Sequence, residues 1–451
     1  MPVTSAGPVH LMERSLRLAI VTETYPPDRN GVATTLHELV AGLLARQHRL
    51  QLIRPHHSLP GRRGPAMAAP PQAEGSLEEW LLPALPVPTY PGQQMGWPAL
   101  GALSRLWHSN RPDVVHIATE GPLSWAALQV ARHLQLPVSS DFRTNFHTYS
   151  DHYGLGWLRR PILAYLRGFH NAAACTLVPT PSLRQELIAA GFRQVRVVAR
   201  GVDTERFSPQ HRDPALRARW GADESTLVLL CVGRLAAEKN LPTLLQAYGA
   251  IRERGVDARL VLVGDGPLAE ELRLRCPAAI QAGPRSGVEL SAHYASADLF
   301  LFPSLSETFG NVTAEAMASG LPVVAFARGA AALLLRDGVN GVRVEGSDNA
   351  AFVKAAISLA SGAEHLPQLG AAARRRAQDL RWSRVVERFE RELWRLLLAK
   401  HQGIGSAAAE GAGPTPWQRF TPLPTSNPSP KTTQSSSGYR RFVPKQPKLQ
   451  G

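Results

Sequence analysis

Short apolar runs alternate with helical patterns along most of this chain, and this alternation constrains the fold more than any other feature. Residues 17–23, 113–118 and 227–234 are runs of this kind, each followed by a polar or glycine-containing turn and then a helical pattern. Runs that are apolar throughout are typical of strands buried on both faces of a parallel sheet. We therefore expect an α/β fold with parallel strands and right-handed crossovers.

The alternation occurs twice, separated by a charged, proline-containing segment that we interpret as a linker. We predict one domain over residues 16–205, a second over 206–380, and a long amphipathic helix over 381–401. The first 15 residues are expected to be a disordered lead. Residues 402–451 are rich in Pro, Ser, Thr and Gly, have few apolar residues and end in a basic stretch, so a disordered tail is predicted there.

Charge and cysteine content indicate which classes of ligand and which compartment suit this protein, but they do not identify its function. The net charge is +14, from 50 basic and 36 acidic residues, which suits nucleic acid, anionic lipid or phosphorylated ligands. Three widely spaced cysteines (Cys175, Cys231, Cys276) indicate a reducing compartment, and no His/Cys cluster has zinc-ligand spacing. Neither a signal peptide nor a membrane span is predicted, so a cytoplasmic or peripheral protein is expected.

Two carboxylates stand on a predicted strand–loop–helix junction in the second domain. Glu307 and Glu315 are separated by seven residues, and a helix is expected to start near Gly310. The free N–H groups of a helix start favour anions such as phosphate. Glu307 would repel a phosphate and is better suited to accept hydrogen bonds from sugar hydroxyls. The alternative, a solvated loop residue and a helix-face charge, stays open on these two residues alone.

Two cations follow the first strand of the same predicted sheet. Arg234 and Lys239 are five residues apart, and such a pair can neutralise a diphosphate. Solvated surface charges would explain them equally well in isolation. Because the carboxyl ends of parallel strands share one edge of a sheet, we expect this pair and the Glu307–Glu315 segment to face the same crevice.

Two further stretches follow strands of the first predicted domain. Asn30 and Gly31 can adopt positive φ, which would let the backbone approach a ligand, although a plain turn is the alternative. Residues 143–154 gather Arg143, His147 and several aromatic side chains where ligands bind in open α/β sheets.

Residues 157–169 are basic, aromatic and amphipathic, and either rest on an anionic bilayer or form a packed helix with a basic edge.

Several motifs together resemble the retaining glycosyltransferases of family 4, in particular the α-mannosyltransferase and sulfoquinovosyltransferase-like branch. The resemblance runs from about residue 17 to residue 400. It is carried by NGVA at 30–33, GVDTERF at 201–207, GRLAAEKN at 233–240, VGDGP at 263–267 and the segment 304–322. It implies a GT-B architecture, with two Rossmann-like domains around a deep cleft and the helix at 382–400 crossing back to the first domain.

The resemblance also implies roles for individual residues. A nucleotide-diphosphate sugar would be held mainly by the second domain, with Arg234 and Lys239 on the diphosphate. Glu307 would bind donor-sugar hydroxyls and Glu315 the ribose. Gly31, next to Asn30, would allow the first-domain loop to approach the diphosphate.

Backbone groups would complete the donor site. The N–H groups of Thr308, Phe309, Gly310 and Asn311 would face the sugar and phosphate, and base recognition would fall on backbone near Gly264. The family uses neither a metal nor a cofactor, since the two cations and the helix terminus stabilise the leaving-group charge.

One position departs from the family pattern. Where the branch has a histidine after the strand that contains Pro137, this chain has Arg143, and His147 follows four residues later. Arginine stays protonated and is a poor base, but it can bind a phosphate on the acceptor or donor. Because retaining transfer in such enzymes is thought to use the leaving phosphate as base, the missing histidine need not abolish activity.

The expected function is transfer of a hexose, mannose from GDP-mannose as first choice, to a lipid or lipid-linked glycan at the inner face of the plasma membrane. A UDP-sugar-dependent transferase, a nucleotide-sugar epimerase and a phosphorylase are alternatives with the same fold. A nucleic-acid-binding protein is the rival from another class, but aromatics are only 7% of the chain. No nucleic-acid partner is expected, and no oligomeric state is predicted.

Overall fold

The structure is a computed structural model that describes residues 14–28, 30–56, 72–74, 76–86, 94–143 and 159–402. The strands are β1 Arg17–Val21, β2 Arg49–Pro55, β3 Gln72–Glu74, β4 Leu77–Leu82, β5 Ala84–Pro86, β6 Gln94–Gly96, β7 Val114–Ile117, β8 Val138–Asp141, β9 Cys175–Val178, β10 Val195–Val197, β11 Leu227–Val232, β12 Ala258–Val263, β13 Ile280–Gly283, β14 Leu299–Phe302, β15 Val323–Phe326 and β16 Gly341–Val344.

The α-helices are α1 Gly31–Ala45, α2 Leu100–Ser109, α3 Pro122–His133, α4 Arg159–Asn171, α5 Pro181–Ala189, α6 Pro214–Arg219, α7 Leu241–Glu253, α8 Ala269–Arg275, α9 Gly287–Ala295, α10 Asn311–Ala318, α11 Gly329–Leu334, α12 Asn349–Ser361, α13 Leu366–Ala377 and α14 Trp382–His401.

Two sheets organise the chain, as the apolar alternation predicts. The first has eight strands in the order β10-β9-β8-β7-β1-β2-β4-β3, parallel except for β3. The second has six strands in the order β13-β12-β11-β14-β15-β16, all parallel. β9, β11 and β14 are buried at every residue, which is why they appear in the sequence as unbroken apolar or small-residue runs.

The last helix returns to the first sheet, which confirms the predicted crossing. Phe389 and Leu393 of α14 lie in one buried cluster with Leu18 of β1 and Leu36 of α1. Glu390 anchors the same helix, since its carboxylate pairs with Arg46 at 2.6 Å and with His48 at 3.2 Å. This helix therefore fixes the second half of the chain to the first.

Three features of the first half and the junction differ from expectation. β3 to β6 and α2 were not predicted; β4, for example, is partly exposed and contains two acidic residues, so it lacks an apolar run. The segment before Trp220 is not a plain linker: it contains α6, and Phe207, Leu216 and Trp220 lie in the core of the second sheet. The domain boundaries at 205/206 and 380/381 stay predictions.

Helix α4 settles the ambiguity of the amphipathic stretch for its described residues. Leu166 and Phe169 are buried, and Leu166 shares a cluster with Phe142. Arg160 and Arg167 point outward. The apolar face that would have lain on a bilayer is therefore packed inside the protein, and the basic edge is solvated. In the part of the chain that the structure describes, no helix combines the length and apolar character that crossing a membrane requires.

Candidate active site

The carboxyl ends of β11 and β14 bring two predicted site residues into direct contact. Lys239, in a short 3-10 turn, forms an ion pair with Glu307, and their side chains are only 16% and 14% exposed. Ser304 Oγ donates to Glu307 Oε1 at 2.8 Å, and Lys239 Nζ lies 5.3 Å from the Phe302 ring centre. Each residue thus holds the other in place at the mouth of the second sheet.

Arg234 behaves differently from Lys239. Its side chain is exposed, and within the described ranges no carboxylate pairs with it. The neighbouring strand ends meet tightly: Gly264 has φ +136°, and a Cβ there would lie 1.9 Å from the carbonyl oxygen of Gly233. Glycine at 264 is therefore required for the two strand exits to pass each other, and Arg234 remains a free cation beside them.

Helix α10 begins where the sequence predicts a helix start. Gly310, with φ +79°, precedes its first residue, Asn311. Phe309 is buried in the core of the second sheet, so only its backbone can face a ligand, and its carbonyl accepts from Ala330 N. Thr308 is partly buried. The helix start is therefore open to a ligand mainly through backbone N–H groups.

Glu315 lies one turn further along α10. The Tyr294 hydroxyl donates to its Oε2 at 2.9 Å. Burial raises the pKa of Glu315 to about 7, although the Tyr294 bond and Arg206 act in the opposite direction. The carboxylate is thus fixed in orientation and ionises near neutral pH.

The opposite wall is formed by the start of α1. Asn30 caps this helix: its Oδ1 accepts from Val32 N and Ala33 N, and its Nδ2 donates to Thr24 at 2.8 Å. The expected positive φ is wrong, because Asn30 is extended, with φ −144°, and Gly31 is the first helical residue. Capping favours that extended backbone. The side chain of Asn30 is committed to the loop, so its effect is to position Gly31.

The two walls meet at Gly31. An ideal Cβ built on Gly31 would lie 3.8 Å from Arg200 Nη1 and 3.9 Å from Asn311 Nδ2. The starts of α1 and α10 therefore face each other across the interdomain cleft. Glycine leaves this point open to a ligand.

Arg143, at the position where the family has a histidine, is not a free cation. Its guanidinium bonds to Asp141 through Nε and Nη2, and His116 Nε2 lies 3.2 Å from the same Asp141 oxygen. Burial of Asp141 opposes ionisation, but Arg143 and His116 prevail and lower its pKa to about 2. His147 lies outside the described residues.

The sequence reasoning missed Arg200. It stands directly before the GVDTERF motif at 201–207, and its side chain is buried beside Gly31. Its position next to that motif was the one sequence feature that could have indicated a site residue.

Comparison with known proteins identifies the family. A family model described as "Glycosyltransferase Family 4" matches residues 29–206, and one described as "Glycosyl transferases group 1" matches residues 226–361. A GDP-mannose-dependent alpha-mannosyltransferase of Mycobacterium tuberculosis is 35% identical over 69% of this chain and 79% of the relative. The chain belongs to glycosyltransferase family 4. It is therefore a glycosyltransferase, which favours the expected enzyme over its rival, a nucleic-acid-binding protein.

Other relatives of this family 4 glycosyltransferase have names that state different sugars. The sulfoquinovosyl transferase of Arabidopsis thaliana is 34% identical over 62% of this chain and 56% of the relative. The alpha-monoglucosyldiacylglycerol synthase of Streptococcus pneumoniae is 26% identical over 69% of this chain and 71% of the relative. The solved sucrose-phosphate synthase of Thermosynechococcus elongatus is 19% identical, with a TM-score of 0.66 over 86% of this chain and all of that one. That structure supports the GT-B fold.

Proposed function

We propose that this glycosyltransferase moves mannose from GDP-mannose to a lipid or lipid-linked glycan, with retention of configuration and without a metal. The observation that carries the proposal is the convergence at one cleft of Lys239, Glu307 and the starts of α1 and α10. Cations and helix N-termini stabilise a diphosphate, and a carboxylate beside them accepts bonds from sugar hydroxyls.

The site residues divide the donor between them. Lys239 and the exposed Arg234 bind the diphosphate, and Glu307, released from Lys239 when phosphate arrives, binds the sugar hydroxyls. Glu315, fixed by Tyr294, accepts from the ribose. The backbone N–H groups at the start of α10 face the leaving phosphate. Gly31 gives that phosphate room on the first-domain side.

The choice of mannose and GDP follows the relative whose name states GDP-mannose. A panel of GDP-mannose, UDP-glucose, UDP-glucuronate and ADP-glucose tests it by thermal stabilisation and by release of the nucleoside diphosphate. GDP-mannose is expected to give the largest stabilisation. A larger shift with a UDP-sugar would replace the donor assignment with the UDP alternative, and epimerisation of the donor without acceptor would point to an epimerase.

Metal independence has its own test. The cationic groups named above, with the helix start, neutralise the leaving diphosphate, which is the task of a divalent ion in other transferases. Dialysis against EDTA is expected to leave turnover within about twofold of the untreated enzyme. Loss of activity that returns with Mg²⁺ would contradict this part of the proposal.

Contact with an anionic membrane is proposed through the first domain rather than through the apolar face of α4. Trp97 is 52% exposed, and Leu85, Leu100, Trp125 and Tyr165 are exposed large side chains of the same domain. Leu85 and Trp97 share one face of the β5–β6 hairpin, because Leu85 pairs with Met95 two residues before Trp97. Indole rings suit the membrane–water interface, and the +14 charge suits anionic lipid.

Vesicle flotation tests the membrane contact. Wild-type protein is expected to float with vesicles containing phosphatidylglycerol and not with pure phosphatidylcholine. Trp97→Ser with Trp125→Ser is expected to reduce flotation, whereas Leu274→Ser, which changes a 73% exposed apolar residue of the other domain, leaves it unchanged. Absence of wild-type flotation, or equal loss in both variants, would contradict the proposed contact.

A further inference from the structure

Arg200 is a buried cation that has no counter-ion among the described residues. Its side chain is 8% exposed, and no described residue accepts a hydrogen bond from its Nε. The guanidinium makes one long bond, from Nη2 to the carbonyl oxygen of Arg143 at 3.4 Å, and no ion pair with any carboxylate in the described segments. A buried charge in this state is costly unless something else pairs with it.

Arg217 is a buried arginine of the same protein whose hydrogen bonds indicate a structural role. It is buried to a similar degree, but its Nη1 donates to Ser296 O and Asp298 Oδ2, both at 2.9 Å. Its Nη2 donates to Asp223 O and Thr226 O. The contrast indicates that Arg200 is not a satisfied core residue like Arg217.

The guanidinium of Arg200 is directed into the cleft. Nη1 lies 3.8 Å from the Cβ position of Gly31, and Asn311 Nδ2 lies 3.9 Å from that same position. Asn311 Oδ1 is also buried, and it has no hydrogen-bond partner within the described part of the chain. Three elements therefore surround one small volume: the start of α1, the start of α10 and the Arg200 side chain.

The charges around this volume leave it suited to an anion. Burial, together with the charge of Arg143, lowers the pKa of Arg200 to about 9, although Asp141 and Glu307 act in the opposite direction. Asp141 is already bonded to Arg143, and Glu307 to Lys239. The two carboxylates are thus neutralised by other cations, and the positive charge of Arg200 is available to a ligand.

We propose that Arg200 binds the distal phosphate of the nucleotide sugar, the one that becomes the leaving group, as a third cation beside Arg234 and Lys239. This inference rests on the proposed function, because it needs a nucleotide-diphosphate donor. In the transfer, the bond from the sugar C1 to the phosphate oxygen breaks and its electron pair stays on that oxygen. The acceptor oxygen forms the new bond to C1, and its proton passes to the released diphosphate. Arg200 stabilises the charge that appears on that phosphate.

The test compares nucleotides that differ only by the distal phosphate. Calorimetric titrations of GDP and GMP are made on the wild type, Arg200→Gln, Arg200→Lys and, as a matched control, the exposed Arg193→Gln. Arg200→Gln is expected to weaken GDP binding about tenfold or more and to leave GMP binding within about twofold. Arg200→Lys keeps part of the GDP affinity, and Arg193→Gln keeps all of it.

Thermal unfolding of the ligand-free variants separates binding from structure. Removing an unpaired buried charge is expected to leave the Tm of Arg200→Gln equal to or above that of the wild type, whereas a structural arginine would lower it. A lowered Tm together with unchanged GDP binding overturns the proposal. Unchanged GDP binding with a raised KM for a phosphorylated acceptor also overturns it, and assigns Arg200 to an acceptor phosphate.

Binding by the wild type distinguishes a failure of the proposed function from a failure of the role of Arg200. If the wild type binds UDP or ADP instead of GDP, the same comparison with UMP or AMP decides the role of Arg200. If the wild type binds none of the three diphosphates, the donor assignment and the role of Arg200 both fall. Wild-type binding with no effect of Arg200→Gln overturns the role of Arg200 alone.

Discussion

Lys239 and Glu307, from turns after two neighbouring strands of the second sheet, form an ion pair with each other. The ammonium and the carboxylate are in direct contact, and Ser304 fixes the same carboxylate. Under the proposed function, a diphosphate that arrives at Lys239 would compete with Glu307 for it. Binding of the diphosphate would then free Glu307 to accept hydrogen bonds from the sugar, and this would couple the two halves of donor recognition.

Substitutions of this pair are expected to separate the two roles. Lys239→Met should lower nucleoside diphosphate affinity, because one phosphate cation is lost. Glu307→Gln should keep that affinity or raise it, because Lys239 is released, while kcat falls roughly 100- to 1,000-fold. Calorimetry and steady-state kinetics measure both effects. The exposed Glu289→Gln is the control, and wild-type turnover in both site variants would refute the site.

Glu315 predicts a pH dependence of donor binding. Its folded pKa is about 7, raised by burial from an ordinary value of 4.5. In the proposed donor site the ionised form would accept from the ribose hydroxyls, so donor affinity should fall as the pH drops from 8 to 6. Glu315→Gln should bind donor more weakly at pH 8 and lose this pH dependence. Affinity profiles for both proteins between pH 5.5 and 8.5 test it, and identical profiles would contradict the assignment.

The raised pKa of Glu315 also predicts how stability depends on pH. Donor affinity should increase as the pH rises, whereas this contribution to stability should decrease. Since the folded pKa exceeds the unfolded one, the stability linked to the neutral carboxyl is fully present below about pH 4.5 and is lost as the pH rises through about 7. Ligand-free Glu315→Gln should therefore have a higher Tm than the wild type at pH 8, with the difference shrinking towards pH 5. Thermal unfolding at three pH values checks this. A Tm that is lower at pH 8 would show that the Tyr294 bond outweighs the burial of the charge.

Two glycines predict opposite outcomes for the same substitution. A Cβ on Gly31 meets nothing closer than 3.8 Å, so Gly31→Ala should fold normally but place a methyl group at the proposed position of the leaving phosphate. A Cβ on Gly264 would lie 1.9 Å from Gly233 O at φ +136°, so Gly264→Ala should destabilise the fold by at least about 2 kcal/mol. Tm and donor affinity of both variants test the contrast. Full donor affinity in Gly31→Ala would remove this glycine from the site.

Both sheets and the crossing helix could be predicted because buried parallel strands and the apolar stripe of α14 are local patterns. β4, with the sequence LEEWLL, was not predicted because a half-exposed strand near the edge of the sheet contains charged residues and so lacks an apolar run. Glu307 and Lys239 were both predicted as site residues, but their mutual pairing is a contact over 68 residues that no local pattern encodes. Asn30 was misjudged because a cap and a left-handed turn share residue preferences. Arg200 was missed because the burial of an arginine depends on three distant elements.

The crossing helix links stability to the first-domain wall of the cleft. Phe389 is fully buried and its ring meets His116 edge-on at 4.7 Å, while His116 bonds Asp141, which holds Arg143. Phe389→Ala should lower the free energy of unfolding by about 3 to 5 kcal/mol. Because the cavity leaves His116 unsupported, turnover at temperatures where the variant stays folded should fall as well.

Leu393→Ala is the matched control, since it also removes a fully buried side chain of α14 but one without a ring contact to His116. Denaturant unfolding and kcat/KM at 15 °C are measured for both variants. Equal stability losses with turnover lost only in Phe389→Ala would support the link through His116 and Asp141. Turnover lost to the same degree in Leu393→Ala would mean that the helix acts through packing alone.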